Sequence, residues 1–277
     1  MQFPRLAQTS THPLASGPVR PAARLDKGTK LVVQESQAGW SASAYPECGE
    51  AVISFAASYQ SPEYGGTGSY GDPEVNRLRA ERRARTMVRR YCVANKIDRL
   101  VTLTFRPPFC TDAKELIEHR KRFIRRLRHA LDEKFPYVWV PELHKDGVKL
   151  HAHMGINRFV KKDQMAEVWG HGFVDLRLIR AKGAASEFGR SRQAARYLSK
   201  YVGKAFAQQS TFGCHRYEVW QGFQPRSERR TFPTAEAAGA WAAEMMGGVT
   251  PDYVWRSSEV EDWQGPPVAV AFWDEIA

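Results

Sequence analysis

The chain has 277 residues, 43% of them hydrophobic and eight of them tryptophan, which excludes a wholly disordered chain and leaves room for one sizeable domain with extensions or two small ones. Its 41 Lys and Arg against 30 Asp and Glu give a net charge of +11, and the stretch Val75–Lys134, with 18 basic and 7 acidic side chains, carries all of that surplus. A basic run can be no more than a solvated helix face, but at this density it is the electrostatic footprint of a polyanion binder, so nucleic acid is the expected partner.

Residues 1–70 are rich in Ser, Ala, Gly and Pro and read as a loosely structured leader, with short strands expected near Lys30–Gln34 and Ala51–Ala57. Asp72-Pro73-Glu74 is a helix start, and Glu74–Val93 then holds seven arginines, Arg77, Arg79, Arg82, Arg83, Arg85, Arg89 and Arg90. Asp98–Phe105 is β-rich and stopped by Pro107-Pro108. Thr111–Leu131 is an amphipathic helix: Leu116, Ile117, Ile124, Leu127 and Leu131 recur at steps of three, four and seven, and Arg120, Lys121, Arg122, Arg125, Arg126 and Arg128 cover the rest.

Tyr137–Leu143 and Val148–Ile156 are two strand-like runs joined through Asp146-Gly147, a strong hairpin signal. Lys161–Trp169 is a short helix, Gly172–Ile179 an alternating strand, Ser191–Phe206 a helix, His215–Trp220 strand-like, and Thr234–Met246 an Ala-rich helix. The last 26 residues hold six acids and one Arg. Strands interrupted by helices around a central hairpin imply an α+β fold with an antiparallel sheet. The expected division is a leader over 1–70, a main domain over 71–232 and a helical, acidic extension over 233–277.

Two constellations carry chemistry. Residues two apart on a strand share a face, so His151 and His153 stand side by side. If Asp146-Gly147 is a two-residue loop, paired positions sum to 293 and Glu142 lies opposite His151, with Cβ atoms roughly 5 Å apart. One carboxylate and two imidazoles make a mixed N/O site suited to Mg²⁺ or Mn²⁺; the plainer alternative is a Glu–His surface pair. Pro141 complicates the register, because proline marks an edge or a bulge. Further on, Tyr197-Leu198-Ser199-Lys200-Tyr201 puts two tyrosines four apart on one helix face, with Lys200 above Lys204 on the neighbouring stripe. A tyrosine attacks a phosphodiester if its proton is lost and the phosphate is polarised, and a nearby ammonium helps with both. Half-buried tyrosines of an amphipathic helix are the alternative. Gly203 is costly inside a helix and is expected to loosen or end it.

Val101–Phe105, Glu142, His151-Ala152-His153 and Tyr197–Tyr201, in that order, resemble the HUH endonucleases, specifically the two-tyrosine rolling-circle replication initiators of plasmids and single-stranded DNA phages. The resemblance covers about Asp98–Phe206. It implies a five-stranded antiparallel sheet flanked by helices. It matches His151, His153 and Glu142 to the metal ligands, Tyr197 and Tyr201 to the paired nucleophiles and Lys200 to the lysine beside the scissile phosphate. Ala152 departs from the family, which usually has a bulky apolar residue between the histidines. The implied chemistry is metal-dependent nicking of single-stranded origin DNA through a 5′-phosphotyrosine, followed by strand transfer. Arg77, Arg82, Arg85, Arg89, Arg122, Arg125, Arg126 and Lys204 are the candidate DNA-backbone contacts.

The phosphate-binding pattern G-x-x-x-x-G-K-[ST] does not occur in the sequence, so host helicase, polymerase and single-strand binding protein are the expected partners. Mobilisation relaxases usually carry three histidines and an N-terminal tyrosine, and single-strand transposases one tyrosine on a shorter chain. A non-catalytic DNA-binding regulator is the rival of a different class; a metal-dependent RNA-binding or RNA-cleaving protein is a third.

The four cysteines, Cys48, Cys92, Cys110 and Cys214, form no C-x-x-C pair and no zinc-finger spacing with histidine, and read as reduced structural thiols. The first 30 residues hold no apolar signal core, and no apolar run approaches the ~18 residues of a membrane span. A cytoplasmic protein without a membrane partner is expected.

Overall fold

The computed structural model describes residues 39–56, 72–179, 187–207, 216–263 and 265–274. In chain order the elements are β1 (Gly39–Tyr45), β2 (Glu50–Ala56), α1 (Pro73–Ala94), β3 (Arg99–Leu103), α2 (Ala113–Leu131), β4 (Tyr137–Leu143), β5 (Leu150–Ile156), α3 (Lys162–Trp169), β6 (Val174–Leu178), α4 (Glu187–Ala207), β7 (Glu218–Val219), β8 (Glu228–Phe232), α5 (Ala235–Glu244), β9 (Tyr253–Arg256) and β10 (Val268–Phe272). They build two five-stranded antiparallel sheets, ordered β6-β3-β5-β4-β7 and β8-β1-β2-β10-β9. The α+β class and the antiparallel sheet with its central hairpin match the sequence expectation.

The first sheet is covered on both faces. On one, Leu150, Ala152, Met154 and Ile156 of β5 join Val101, Leu103 and Trp139 in a core closed by Leu116, Phe123, Ile124 and Leu127 of α2 and by Met165 and Trp169 of α3. On the other, Leu100, Val138 and Val140 pack under Ala195, Leu198, Val202 and Ala205 of α4, with Ala84, Val88 and Tyr91 of α1 behind. The two basic helices therefore lie on opposite faces, each burying its apolar stripe. Both open on an aspartate cap: the Asp72 carboxylate accepts from the Glu74 N–H at 2.8 Å, and that of Asp112 from the Lys114 and Glu115 N–H groups at 2.6 and 3.0 Å.

The hairpin register is the expected one, with Glu142 opposite His151, although the connection is not a two-residue loop. His144 N–H donates to the Lys149 carbonyl, and a turn closes from Gly147 N–H to the His144 carbonyl. Gly147 adopts φ 73°, and the Asp146 carboxylate accepts from the N–H groups of Val148 and Lys149. Residues 145–148 form the loop, and its even length preserves the facing of every side chain. Pro141 pairs with Ala152 in unbroken register. Its other side faces no strand, since β7 meets β4 only at Val138 and Trp139, so the missing N–H costs no ladder bond.

The second sheet differs most from expectation. Strands β1 and β2 come from the segment read as a leader and pair with β8 and β10 from beyond residue 227; α5, the expected Ala-rich helix, covers one face with Ala238, Trp241 and Ala242. The expected strand at 30–34 lies outside the described residues. This sheet is fastened to the first unit by charge. Buried Glu50 accepts from Arg89 and Arg90 of α1, and Arg192 of α4 donates to the carbonyls of Gly49 and Trp273 at 2.8 and 2.6 Å. Helix α4 also does not end at Gly203. There it meets α1, and a Cβ would run into the Arg85 guanidinium, so the glycine sets the closeness of the two helices. Among the described residues, no helix is long and apolar enough to cross a membrane.

Candidate metal centre

Three side chains converge where β4 and β5 leave the α4-covered part of the sheet. Glu142 and His153 are buried, and His151 is half-buried. One carboxylate oxygen, Glu142 Oε2, lies 3.0 Å from His151 Nε2 and 2.6 Å from His153 Nε2. The other, Oε1, accepts from Lys204 Nζ at 2.6 Å. The ligand atoms of Glu142, His151 and His153 all fall within 4.8 Å of one another. The donor set fits a divalent cation: one anionic oxygen and two imidazole nitrogens on one side, without sulfur. His151 Nδ1 is buried without a hydrogen-bond partner.

The electrostatics follow from this crowding. Burial pushes the Glu142 carboxyl upward, but hydrogen bonds from His151, His153 and Lys204 overcome it and hold the group well below the usual carboxylate range. Burial lowers the His153 pKa despite the neighbouring carboxylate, and the proximity of His151 adds to the lowering. The Lys204 pKa is raised, chiefly by its bond to Glu142. The cluster therefore offers an anionic carboxylate and an uncharged His153, the protonation states a cation requires.

Across β3 a further residue holds the cluster. Thr102 pairs with His153, and its Oγ1 lies 3.2 Å from His153 Nδ1. The ring thus has one nitrogen on a hydroxyl and the other on a carboxylate. The sequence marks Val101–Phe105 as a strand but gives Thr102 no role; the strand register is the signal that finds it, since Thr102 and Glu142 flank His153 from opposite strands.

Helix α4 brings the tyrosines. Leu198 seats on Gly155, where a Cβ would stand 2.5 Å from Leu198 Cδ1, and this close approach fixes the height and rotation of the helix. One turn on, the Tyr201 ring stacks on His153, with centroids 3.6 Å apart and planes at 22°. Tyr197 lies 6.2 Å from Tyr201, centroid to centroid, and is 49% exposed. Burial raises the Tyr201 pKa, and Tyr197 and Glu142 add to that, while Lys204 and Arg177 act in the opposite direction. The lysine whose Nζ reaches the cluster is Lys204; Lys200 is solvent-exposed.

The arginines expected to meet DNA divide into two groups. Arg77 is tied to Glu74 and Glu81, Arg85 to Glu81 at 2.6 Å, and Arg89 to Glu50 at 2.8 Å. Arg82, Arg122, Arg125 and Arg126 are exposed. Arg120 and Arg128 serve the fold instead: Arg120 pairs with Glu218, and the Arg128 guanidinium lies 3.3 Å from the Trp220 ring centroid.

Residues 98–206 match the family model of the ORF2-type replication-associated proteins. No curated protein and no solved structure matches the chain. The family match spans fewer than half of the 277 residues but contains every residue of the carboxylate, histidine and tyrosine cluster. It supports a replication-associated, Rep-type role for the segment that holds the candidate metal centre.

Proposed function

We propose that this protein initiates rolling-circle replication by nicking single-stranded origin DNA, with a tyrosine of α4 as the nucleophile and an HUH-type metal centre beside it. The observation that carries this reading is the stacking of Tyr201 on His153, which puts a phenol against the Glu142–His151–His153 cluster with a second phenol one helical turn away.

Glu142, His151 and His153 would hold Mg²⁺ or Mn²⁺. When bound, the ion supplies Lewis-acid polarisation of a phosphodiester. The chain's own residues do the rest. Tyr197 or Tyr201 gives up its phenolic proton, and its oxygen attacks phosphorus. The P–O3′ bond breaks, leaving a 5′-phosphotyrosine and a 3′-oxygen that takes a proton from solvent and primes synthesis. The phosphotyrosine retains the energy of the cleaved bond, so the second tyrosine can attack the regenerated junction and the displaced strand can be rejoined. Lys204 carries positive charge where negative charge develops on phosphate. The exposed arginines of α2 hold the strand through its phosphates. Host helicase, polymerase and single-strand binding protein would supply unwinding and synthesis.

The test is formation of a covalent protein–DNA adduct on single-stranded origin oligonucleotides with Mn²⁺, read on a denaturing gel and compared with His151→Ala and His153→Ala. Adduct in wild type and none in either variant supports the assignment. An adduct that survives both substitutions removes the metal role, and binding without adduct points to the DNA-binding regulator.

A further inference from the structure

A second group of metal-type ligands lies on the opposite face of the same sheet. Cys110 precedes α2, while Glu115 and His119 sit four apart on its first turns; one ligand atom from each lies within 4.8 Å of the others. We propose that Cys110, Glu115 and His119 bind a thiophilic divalent ion of the zinc class, at a site chemically distinct from the Glu142 centre.

Three observations carry this. The first is the donor set. A thiol, an imidazole and a carboxylate match zinc, whereas the Glu142 centre offers only nitrogen and oxygen. Cys110 is 2% and His119 8% exposed, while Glu115 reaches solvent, so two ligands are fixed by the core and the third lies on the entry side.

The second is the hydrogen bonding of His119. Its Nε2 lies 3.1 Å from Glu115 Oε1, and its Nδ1 lies 3.0 Å from His171 Nε2. Burial, with the charges of His119, Arg122, Arg126 and Arg106, lowers the His171 pKa, which favours an uncharged ring able to accept. If Nδ1–H donates to His171, then Nε2 turns a lone pair toward a carboxylate, and a cation between them resolves the contact. Metal-bound histidines usually donate their other N–H to a fixed acceptor in this way.

The third is the potential at the sulfur. Cys110 Sγ lies 3.4 Å from the Asp112 carbonyl. Burial, with the nearby Glu115 and Asp112 charges, pushes the thiol up to about 11. Those carboxylates oppose a bare thiolate but favour a cation, which displaces the thiol proton to solvent on binding. The Cys110 carbonyl accepts from the Leu150 N–H at 2.9 Å, one residue before His151. An ion here would pin the connection between β3 and α2 to the start of β5.

The alternative explanation of the same contacts is the opposite tautomer, with His119 Nε2–H donating to Glu115 and Arg122 Nη2, 3.3 Å away, donating to Nδ1. Cobalt(II) titration of the full chain with excess Mg²⁺ separates the two. The proposal predicts thiolate-to-cobalt charge-transfer absorption saturating at one equivalent. It should be abolished in Cys110→Ser, weakened at least about tenfold in affinity in Glu115→Gln and His119→Ala, and unchanged in His151→Ala/His153→Ala. Glu115 is exposed, so its variant keeps the test valid if Cys110→Ser misfolds. No thiolate band in the wild type, or a band that persists in the folded Cys110→Ser or in Glu115→Gln at full affinity, overturns the proposal.

Discussion

The Tyr201 ring lies flat on His153, 3.6 Å between centroids, and that contact joins the two constellations that the sequence holds 48 positions apart. It is built from below by Gly155, which has no side chain and lets Leu198 descend onto β5. A methyl group there would stand 2.5 Å from Leu198 Cδ1 and 3.0 Å from Ile97 Cγ2. Gly155→Ala is expected to cost about 1–3 kcal/mol by overpacking, measured by denaturant unfolding. Unchanged stability would mean that α4 is not held at this height.

Thr102 should act through His153. Its hydroxyl can donate to Nδ1 when Nε2–H faces Glu142, and accept from Nδ1–H when Nε2 serves as a ligand. Thr102→Val is expected to weaken Mn²⁺ binding about 10- to 100-fold by calorimetry, and Thr102→Ser to restore most of it. Equal affinity in Thr102→Val would leave the hydroxyl without a part in the centre.

In chelator, without divalent ions, acid should destabilise the protein in two stages. The His153 pKa is lowered from 6.5, so the unfolded state binds the proton first; this contribution is complete above 6.5 and is lost as pH falls toward the folded value. The Glu142 pKa is lowered from 4.5, so its contribution is present above 4.5 and lost below. His153→Gln should flatten the first stage and Glu142→Gln the second in unfolding curves between pH 7 and 3. A first stage that persists in His153→Gln would assign it to another group.

The arginines should separate by their partners. Single-stranded DNA loses affinity with a slope of about 0.7 per phosphate contact on a log–log salt plot. Replacing exposed Arg122, Arg125 and Arg126 with Ala together is expected to reduce that slope by about 2. Arg77→Ala and Arg85→Ala, which break pairs with Glu74 and Glu81, should leave it nearly unchanged. The reverse pattern would move the DNA path from α2 to α1.

The metal cluster was legible because β4 and β5 are continuous strands with a strong turn signal between them, and any even-length loop gives the same facing. The tyrosine pair was legible from helical spacing. Which lysine turns inward was not: Lys200 and Lys204 share a helix stripe, and only the docking of Leu198 and Val202 decides that Lys204 meets Glu142. The second sheet was illegible for a different reason. Trp40 pairs with Phe232 and Ile53 with Ala269, and short Ala- and Ser-rich strands pairing over such separations leave little local signal. Arginines sharing α1 look alike in sequence, and the carboxylate that occupies Arg89 and Arg90 comes from that distant sheet.

The most direct measurement is the covalent adduct formed with single-stranded origin DNA and Mn²⁺ by the wild type, Tyr197→Phe, Tyr201→Phe and the double variant. A denaturing-gel adduct in the wild type, retained in at least one single variant and absent from a folded, DNA-binding double variant, is the predicted result. An adduct that persists in the double variant, or none in a wild type that binds the same DNA, would contradict tyrosine-mediated nicking at this site.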